Sequence, residues 1–252
     1  LVESSVDYWG TWVDTFAVVR PHTRLTVAAE AVVDTSEALV PEPDDPGPQD
    51  PLAFHEYLVP SPHVEWGETV ATLAREAAGG AHTYVETVRA VVSAAGHLIT
   101  YRPGETEVGT SVAQILEQRS GVCQDYAHFT TAMFRSIGIP ARYVSGYLYA
   151  SDSAHGDEPI DDEITVSTHA WIEVPLSTGR WWPLDPTNQL EVGERHVKIG
   201  HGRDYEDVTP LRGVYNGTST SAGLEAAVSM SRKQLPQFDL GPQPERMLVT
   251  DQ

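Results

Sequence analysis

The feature that most constrains the fold is the stretch over residues 121–140, which has helical spacing and contains the only cysteine of the chain, Cys123. Its larger side chains recur at the interval expected for one packed helix face. They are Tyr126, Thr130, Met133, Phe134 and Ile137. Gly138 and Pro140 are typical of a helix end. The pattern therefore predicts a helix that begins near Cys123 and packs one face against a core.

Cys123 would lie in the first turn of that helix, among unpaired N–H groups and at the positive end of the helix dipole. Both favour the thiolate over the thiol, and the thiolate is the nucleophilic form of cysteine. The alternative is a small buried hydrophobic side chain, which is the commoner role of a lone cysteine on a helix. The neighbours Gly121, Gln124 and Asp125 argue against a core position, because a buried cysteine rarely has polar residues beside it.

Composition and charge exclude several classes of partner. The chain has 252 residues, enough for one large domain or for one domain with a smaller partner. Its formal charge of −20 repels phosphate backbones, and no run of about 18 apolar residues is present, so we expect neither a nucleic-acid nor a membrane partner.

One cysteine excludes an internal disulfide and no signal peptide is visible, so we expect a cytoplasmic protein, although residues can precede Leu1. The oligomeric state stays open.

Changes in pattern divide the chain into four parts. Residues 1–34, which alternate most clearly over 25–33, predict strands at the C-terminal part of an N-terminal β-domain, a small β-sandwich. Prolines among acidic residues predict a stiff linker over 35–51. The main domain covers 52–234, and the proline-bearing tail over 235–252 is expected to have little structure.

Within the main domain, periodicity predicts helices over 64–78 and 82–96 and a short one from Thr110 or Ser111 to Gln118. Strands are predicted after the cysteine helix over 143–149, 167–175 and 180–185, with further short strands over 195–232. The acidic loop over 151–163 could suggest calcium. It lacks the order of ligand residues and the glycine that are typical of a calcium-binding loop, so we expect no metal there.

Residues 167–185 place a histidine and an aspartate on neighbouring strands. Alternation puts His169 and Trp171 on one face of the first strand. The hairpin loop over 177–179, which ends in glycine, predicts that Asp185 lies opposite Trp171 and diagonal to His169. Diagonal neighbours are about 7–8 Å apart at the backbone, within reach of a His–Asp hydrogen bond. A different loop register would put the aspartate on the other face.

These residues fit one mechanism. Cys123 attacks a carbonyl carbon as the thiolate, His169 takes the thiol proton and later delivers it to the leaving amine, and Asp185 holds the imidazole in the required tautomer. The N–H of Cys123 is one oxyanion donor. The second donor stays open between Gln124, through its backbone or side chain, and Tyr101. Taken singly, the histidine and the aspartate also suit structural roles, but their shared geometry favours catalysis.

Two other interpretations fit parts of this pattern. A metal site formed by Cys123, His169 and a carboxylate lacks the paired Cys or His spacings typical of zinc, so we expect no metal and no cofactor. A non-catalytic binding module on the same fold would usually lack one member of the triad, and this chain has all three. His128 follows the cysteine by five residues and faces another side of the helix, so we interpret it as structural.

Four stretches of the sequence are typical of a known family: GVCQDYAHFTTAMFRSIGIPARYVSGYL, THAWIEV, WWPLDPTNQ and GRDYEDVTPLRGVYNG. In these stretches the sequence resembles the bacterial transglutaminase-like superfamily of cysteine proteases. An N-terminal stretch, DYWGTWVDTFAVVRPHTRLTV, is similar to the end of the β-domain that precedes the catalytic domain in such proteins. Pro175 within the histidine strand and Thr11, where an asparagine is common, are small departures.

The resemblance implies an α+β fold with a papain-like core, in which the cysteine helix packs on an antiparallel sheet. It implies the triad Cys123, His169 and Asp185, no calcium requirement, and a bracing role for the segment 202–205. The implied reaction is acyl transfer at an amide bond of a protein or peptide substrate through a thioester. We favour peptide or isopeptide hydrolysis, with protein-glutamine transglutaminase or deamidase activity as the alternative.

Overall fold

The structure is a computed structural model that describes residues 2–149, 164–214, 216 and 226–231. At its N-terminus, β1 (Val2–Val6) and β2 (Trp12–Phe16) form an antiparallel hairpin. The Asp7 carboxylate accepts the N–H groups of Trp9 and Thr11 and closes the turn. Among the described residues these strands pair only with each other, so the described part contains a hairpin rather than a sandwich.

The strand predicted over 25–33 is wrong. Residues 17–50 form no strand, and 25–33 are exposed throughout. The alternating pattern is typical of a strand with one buried face, but such a strand also needs a hydrogen-bonding partner. Within the described residues this segment has no such partner, so its alternating pattern does not form a strand.

The segment predicted as a linker packs against the main domain. The buried carboxylate of Asp45 accepts the N–H of Gly47 at 2.8 Å and both the N–H and the hydroxyl of Ser177, at 3.1 and 2.8 Å. Leu39 packs against the main core. A proline-rich composition predicts stiffness but gives no sign of these docking contacts.

In the described part of the chain, four helices follow a 3₁₀ turn over Pro51–Tyr57. They are α1 (Glu68–Ala78), α2 (Tyr84–Leu98), α3 (Val112–Gln118) and α4 (Cys123–Ser136). Thr83 caps α2 by accepting the N–H of Glu86, and Ser111 caps α3 by accepting that of Gln114. All four predicted helices are present, but α1 begins about one turn later than predicted, after Gly67.

A five-stranded antiparallel sheet supports the helices, with the strand order β10-β5-β7-β8-β9. Its strands are β5 (Arg142–Leu148), β7 (Thr168–Pro175), β8 (Trp181–Asp185), β9 (Leu190–Glu191) and β10 (His196–Gly202). Two short pairs flank it: β3 (Thr100–Tyr101) lies parallel to β4 (Ser120–Gly121), and β6 (Ile164–Val166) lies antiparallel to β11 (Val228–Met230). A 3₁₀ turn over Tyr205–Val208 follows β10.

Helix α4 is the central element, since every residue from Asp125 to Arg135 is buried. It packs on β7 and against α1 and α2, and its apolar side chains join those of the sheet in one core. This is the predicted α+β arrangement of a cysteine helix on an antiparallel sheet. Among the described helices, none is both long and apolar enough to cross a bilayer. The acidic loop over 151–163 and the tail over 235–252 lie outside the described residues.

Candidate active site

Cys123 is the first residue of α4, and a buried carboxylate fixes the start of this helix. Asp125 Oδ2 accepts the N–H of Val122 at 2.7 Å and the hydroxyl of Thr106 at 2.6 Å. Burial raises the pKa of Asp125, and the two hydrogen bonds act in the opposite direction. A Cβ on Gly121 would lie 2.6 Å from the Asp125 Cβ, so only glycine allows this close approach. The hydrogen bonds to Asp125 and its close contact with Gly121 therefore fix the turn before the cysteine.

The Cys123 side chain is partly exposed and lies in a small cleft at the end of the sheet. Its Sγ is 4.0 Å from the carbonyl oxygen of Thr168, the residue before His169. The cleft has a volume of about 70 Å³. Besides Cys123, Thr168 and His169 it is lined by Gln124, Tyr143, Ser145, Ala170, Tyr205 and Pro210. The sulfur and the imidazole thus share one opening to solvent.

The hairpin of β7 and β8 has the predicted register. Ile172 pairs with Leu184, so the next pair along the strands would be Trp171 with Asp185. The diagonal contact forms as expected, with His169 Nε2 2.6 Å from Asp185 Oδ2. The histidine is 8% exposed and the aspartate is fully buried. Because Nε2 is engaged with the carboxylate, Nδ1 is the ring nitrogen left for the thiol.

The charges in this group are coupled. Burial opposes the positive charge of His169, but the hydrogen bond with Asp185 and then the one with the Cys123 side chain outweigh it and raise the pKa of His169 to about 9. Burial also opposes the charge of Asp185, and the hydrogen bonds from His169 and His196 outweigh it, so that the pKa of this aspartate lies below its usual range. The arrangement therefore favours the protonated imidazole beside the Asp185 carboxylate.

Asp185 accepts five hydrogen bonds. His169, His196 and the side-chain amide of Asn188 donate to Oδ2 at 2.6, 3.3 and 2.7 Å. The backbone N–H groups of Thr187 and Asn188 donate to Oδ1 at 3.0 and 3.1 Å. Since carboxylate oxygens together offer about four lone-pair positions, the buried charge is fully satisfied. The aspartate is held so that one oxygen faces His169.

His196 and Asn188 are members of this group that the sequence reasoning missed. Asn188 follows an Asp-Pro step, whose tendency to form an Asx turn was a usable signal. His196 had no such signal, because β10 is separated from β7 by β5. The N–H of Gly193 donates to His196 Nδ1 at 3.4 Å, so Nε2 carries the proton that points to Asp185.

Gly146 on β5 makes the approach of these rings possible. It lies opposite His169, and a Cβ there would be 2.5 Å from the Trp171 ring and 2.2 Å from the carbonyl oxygen of Val197. The Trp171 indole meets the His196 ring edge-on, with centroids 5.4 Å apart. The indole thus packs across the glycine and positions the second histidine.

His128 lies on α4 away from the sulfur and supports another part of the cleft. Its Nε2 accepts the N–H of Tyr205 at 3.2 Å, and its ring stacks on His63 at 5.3 Å. Burial, followed by the charges of His63 and Arg135, holds the pKa of His128 well below its usual range, so the ring is a neutral acceptor. This contact fits the structural interpretation of His128.

The segment 202–205 is held by further contacts. Asp204 is buried and accepts the N–H of His63 at 3.0 Å, and Arg135 donates to the carbonyl oxygen of Arg203 at 2.7 Å. Tyr205 is fixed in this way at the wall of the cleft. These contacts agree with the bracing role expected for the segment.

Three described side chains have possible metal-ligating atoms within 4.8 Å of one another, namely His169, Asp185 and His196. Cys123, a ligand in the alternative metal site with His169 and a carboxylate, is not one of them. The group is joined by N–H donors that point at Asp185 Oδ2. A metal would need the same oxygen lone pairs, so this donor set suits a hydrogen-bonded carboxylate better than an ion.

The chain is similar to known proteins in sequence and in fold. Residues 71–186 match the family described as the transglutaminase-like superfamily. An uncharacterized protein of Mycobacterium leprae is 38% identical over 235 residues, which cover 90% of this chain and 80% of that protein. An uncharacterized protein of Mycobacterium tuberculosis is 34% identical over 242 residues, covering 90% and 76%.

Among solved structures, one from Cytophaga hutchinsonii, described as a candidate cysteine protease, superposes with a TM-score of 0.55 at 27% identity. The match covers 73% of this chain and 58% of that one. The chain therefore spans less than two thirds of the Cytophaga protein and three quarters or more of the two mycobacterial relatives.

Proposed function

Since the chain belongs to the transglutaminase-like superfamily, we propose that it hydrolyses peptide or isopeptide bonds of a protein substrate through a thioester on Cys123. The observation that carries this proposal is the 2.6 Å bond between His169 and Asp185 next to a cysteine at the start of a helix. A nucleophile, a base and a group that orients the base are the parts that covalent acyl transfer requires.

In the proposed acylation step, the Cys123 thiolate attacks the carbonyl carbon of the scissile amide. The imidazolium of His169 gives its Nδ1 proton to the leaving amine as the C–N bond breaks, and a thioester remains on the sulfur. Asp185 keeps Nε2 protonated, so that only Nδ1 exchanges protons with the reacting groups. The raised pKa of His169, about 9, supports an imidazolium that is ready to act as this acid.

The negatively charged oxygen of the tetrahedral intermediate needs hydrogen-bond donors to stabilise it. The N–H of Cys123 is one, since the first N–H groups of a helix have no intrahelical acceptor. The side-chain amide of Gln124 donates to the carbonyl oxygen of Val108 at 3.1 Å and is therefore engaged elsewhere. Tyr101 is half exposed and pairs with Gly121, two residues before the cysteine; burial, followed by the charge of Cys123, raises the pKa of Tyr101, so its phenol keeps its proton. We infer that Tyr101 is the second donor.

Mass spectrometry of a glutamine-containing peptide and of an isopeptide substrate, each with and without a primary amine, tests the reaction. Hydrolysis gives cleaved peptide, deamidation gives a glutamate product, and transamidation gives an amine adduct. We expect cleavage by the wild-type protein and none by Cys123→Ala or His169→Ala. Binding of the peptide without any product in the wild-type protein would instead favour the non-catalytic module.

Iodoacetamide gives an independent measure of the proposed activation. A thiolate held beside an imidazolium should be alkylated fastest near neutral pH, and more slowly after His169→Ala. The exposed His97 offers a matched control, because His97→Ala removes an imidazole far from the sulfur. Equal alkylation rates in the wild type and His169→Ala would contradict activation by the histidine.

A further inference from the structure

We propose that a cavity on the side of the sheet that faces away from α4 binds a small zwitterion with an apolar side chain, either an amino acid or a short peptide. This back cavity lies between segment 33–39 on one side and residues 180–183 and 192–198 on the other. Its volume is about 510 Å³, within the range of about 300–1,000 Å³ that is typical of small-molecule sites. Among the described residues, the back cavity and the cleft at Cys123 have no lining residue in common.

Segment 33–39 forms the outer wall of the back cavity. Leu39 packs against the main core, and a Cβ on Gly193 would lie 3.3 Å from the backbone nitrogen of Ala38. The C-terminal end of the segment is therefore in close contact with the domain, whereas residues 33–37 are exposed. Contacts within the protein itself thus hold the outer wall in place.

The inner wall is apolar and well supported. Pro183 pairs with Glu173, on the face of β7 that turns away from the core, so it stands on the outer face of the sheet. The Trp181 ring is held by Arg142, whose Cζ lies 3.8 Å from the ring centroid, and by the edge-on ring of Tyr57 at 5.2 Å. The apolar residues that line the whole cavity are Val33, Leu39, Trp181, Pro183, Val192 and Val197. Such a surface suits an apolar side chain, because contact with it removes apolar area from water.

The positive charge of the back cavity comes from the sheet side. Arg180 is exposed, and its guanidinium has no ion-pair partner in the part of the chain that the structure describes. Lys198 Nζ lies 2.8 and 2.7 Å from the two carboxylate oxygens of Glu173, and Arg142 lies 2.6 Å from one of them. Two cations on one carboxylate leave a positive charge in excess on this wall.

The negative charge comes from segment 33–39. Asp34 and Glu37 line the back cavity and are exposed, and neither forms an ion pair with any described cation, Arg180 included. Opposite charges thus border one cavity without contacting each other. Their arrangement is complementary to a ligand that bears both charges.

These groups define how such a ligand would lie. Its ammonium group would bind Asp34 and Glu37, its carboxylate would bind the planar guanidinium of Arg180, and its side chain would lie on Trp181. A ligand with one charge would leave one wall of the cavity unpaired, so the zwitterion is the class that fits. None of these groups belongs to the catalytic triad, so binding here does not require the proposed acyl transfer.

Calorimetric titration with leucine and, separately, with the dipeptide Ala-Leu tests this site and distinguishes the two sources of the zwitterion. The protein is the Cys123→Ala variant, so that no dipeptide is hydrolysed and the result is independent of the proposed reaction. We expect saturable binding at one site per chain, about tenfold weaker when either the amine is acetylated or the carboxylate is converted to an amide. No saturable binding of either zwitterion at millimolar concentration, or equal binding of the capped ligands, would overturn the proposal.

Variants with the tighter ligand and its capped forms assign each charge to its wall. Arg180→Gln should weaken the zwitterion about tenfold and leave the amide form unchanged, because the amide lacks the carboxylate that Arg180 binds. Asp34→Asn combined with Glu37→Gln should weaken the zwitterion and leave the N-acetyl form unchanged. Arg20→Gln and Asp44→Asn, exposed and outside the cavity, are the matched controls and should change nothing. Equal losses in the controls, or losses that do not depend on capping, would contradict the assignment, and unchanged melting temperatures show that the variants fold.

Discussion

His196 Nε2 lies 3.3 Å from Asp185 Oδ2, the same oxygen that binds His169 at 2.6 Å. Two imidazoles thus donate to one buried oxygen from different strands of the sheet. Because the N–H of Gly193 occupies Nδ1 of His196, this second histidine is a fixed donor and not the proton-transferring base. It is a positioning residue, and its loss should act through the aspartate.

His196→Leu removes that donor from a fully buried carboxylate. A hydrogen bond to a charged group contributes about 1.5–3 kcal/mol, so we expect kcat/KM to fall about tenfold or more. His196→Gln retains an N–H donor and should recover most of the activity, while His97→Leu on the exposed face of α2 should be neutral. With one donor fewer, Asp185 should hold the imidazolium more strongly, and the alkaline limb of the pH–activity profile should move to higher pH. A purely structural role would leave that limb unmoved.

The second prediction concerns Asp185→Asn. The pKa of His169 is raised to about 9, so in the wild-type protein activity should fall as pH rises through that value. An asparagine removes the negative charge, lowers the pKa of His169 and moves the alkaline limb toward about 6.5, the unperturbed histidine value. We expect kcat to drop about 10³–10⁴-fold, as for other triads that lose this charge. Asp44→Asn in the exposed part of the linker is the control.

The same pair should make stability depend on pH. A group whose pKa is higher in the folded state stabilises the fold fully below its unfolded pKa and loses that contribution as pH rises through the folded value. For His169 this window runs from about 6.5 to about 9. Urea unfolding at pH 6 and pH 9.5 should therefore show a larger loss for the wild type than for Asp185→Asn. An equal loss in both would contradict the assignment of the shift to this pair.

Local patterns in the sequence could predict the partners of the sulfur but not the partners of Asp185. Helical spacing after Cys123 and the short hairpin loop before Arg180 are local signals, so the cysteine helix and the register of β7 and β8 followed from them. The position of His196 depends on strand order, which places β5 between β10 and β7, and no local spacing encodes that order.

The strand predicted over 25–33 failed for a related reason. Alternation describes which side chains could share a face, but a strand also requires backbone partners that lie elsewhere in the fold. Similarly, the docking of Asp45 on Ser177 joins residues far apart in the chain, and neither has a local pattern that indicates the contact.

The fourth prediction addresses the second oxyanion donor. Tyr101→Phe keeps the ring, which packs near Tyr126, and removes only the phenolic hydroxyl. If Tyr101 donates to the oxyanion, kcat should fall about 10²–10³-fold with little change in KM, because the interaction forms only as negative charge develops. Gln124→Ala should have a smaller effect, since its amide is engaged with the loop at Val108. A larger loss for Gln124→Ala than for Tyr101→Phe would reverse the assignment.

The last prediction tests the packing that brings the two histidines together. Gly146→Ala would place a methyl group 2.2 Å from the carbonyl oxygen of Val197 and 2.5 Å from the Trp171 ring. Backbone atoms cannot move aside cheaply, so the strands or the indole must shift, at a cost of about 1–3 kcal/mol in unfolding free energy. Gly80→Ala introduces the same methyl group where nothing lies within 4 Å and should be neutral. Because the displaced indole contacts His196, activity should fall by more than the lost stability explains, measured well below the melting temperature. Full activity in a destabilised Gly146→Ala protein would separate the indole from the catalytic group and contradict this coupling.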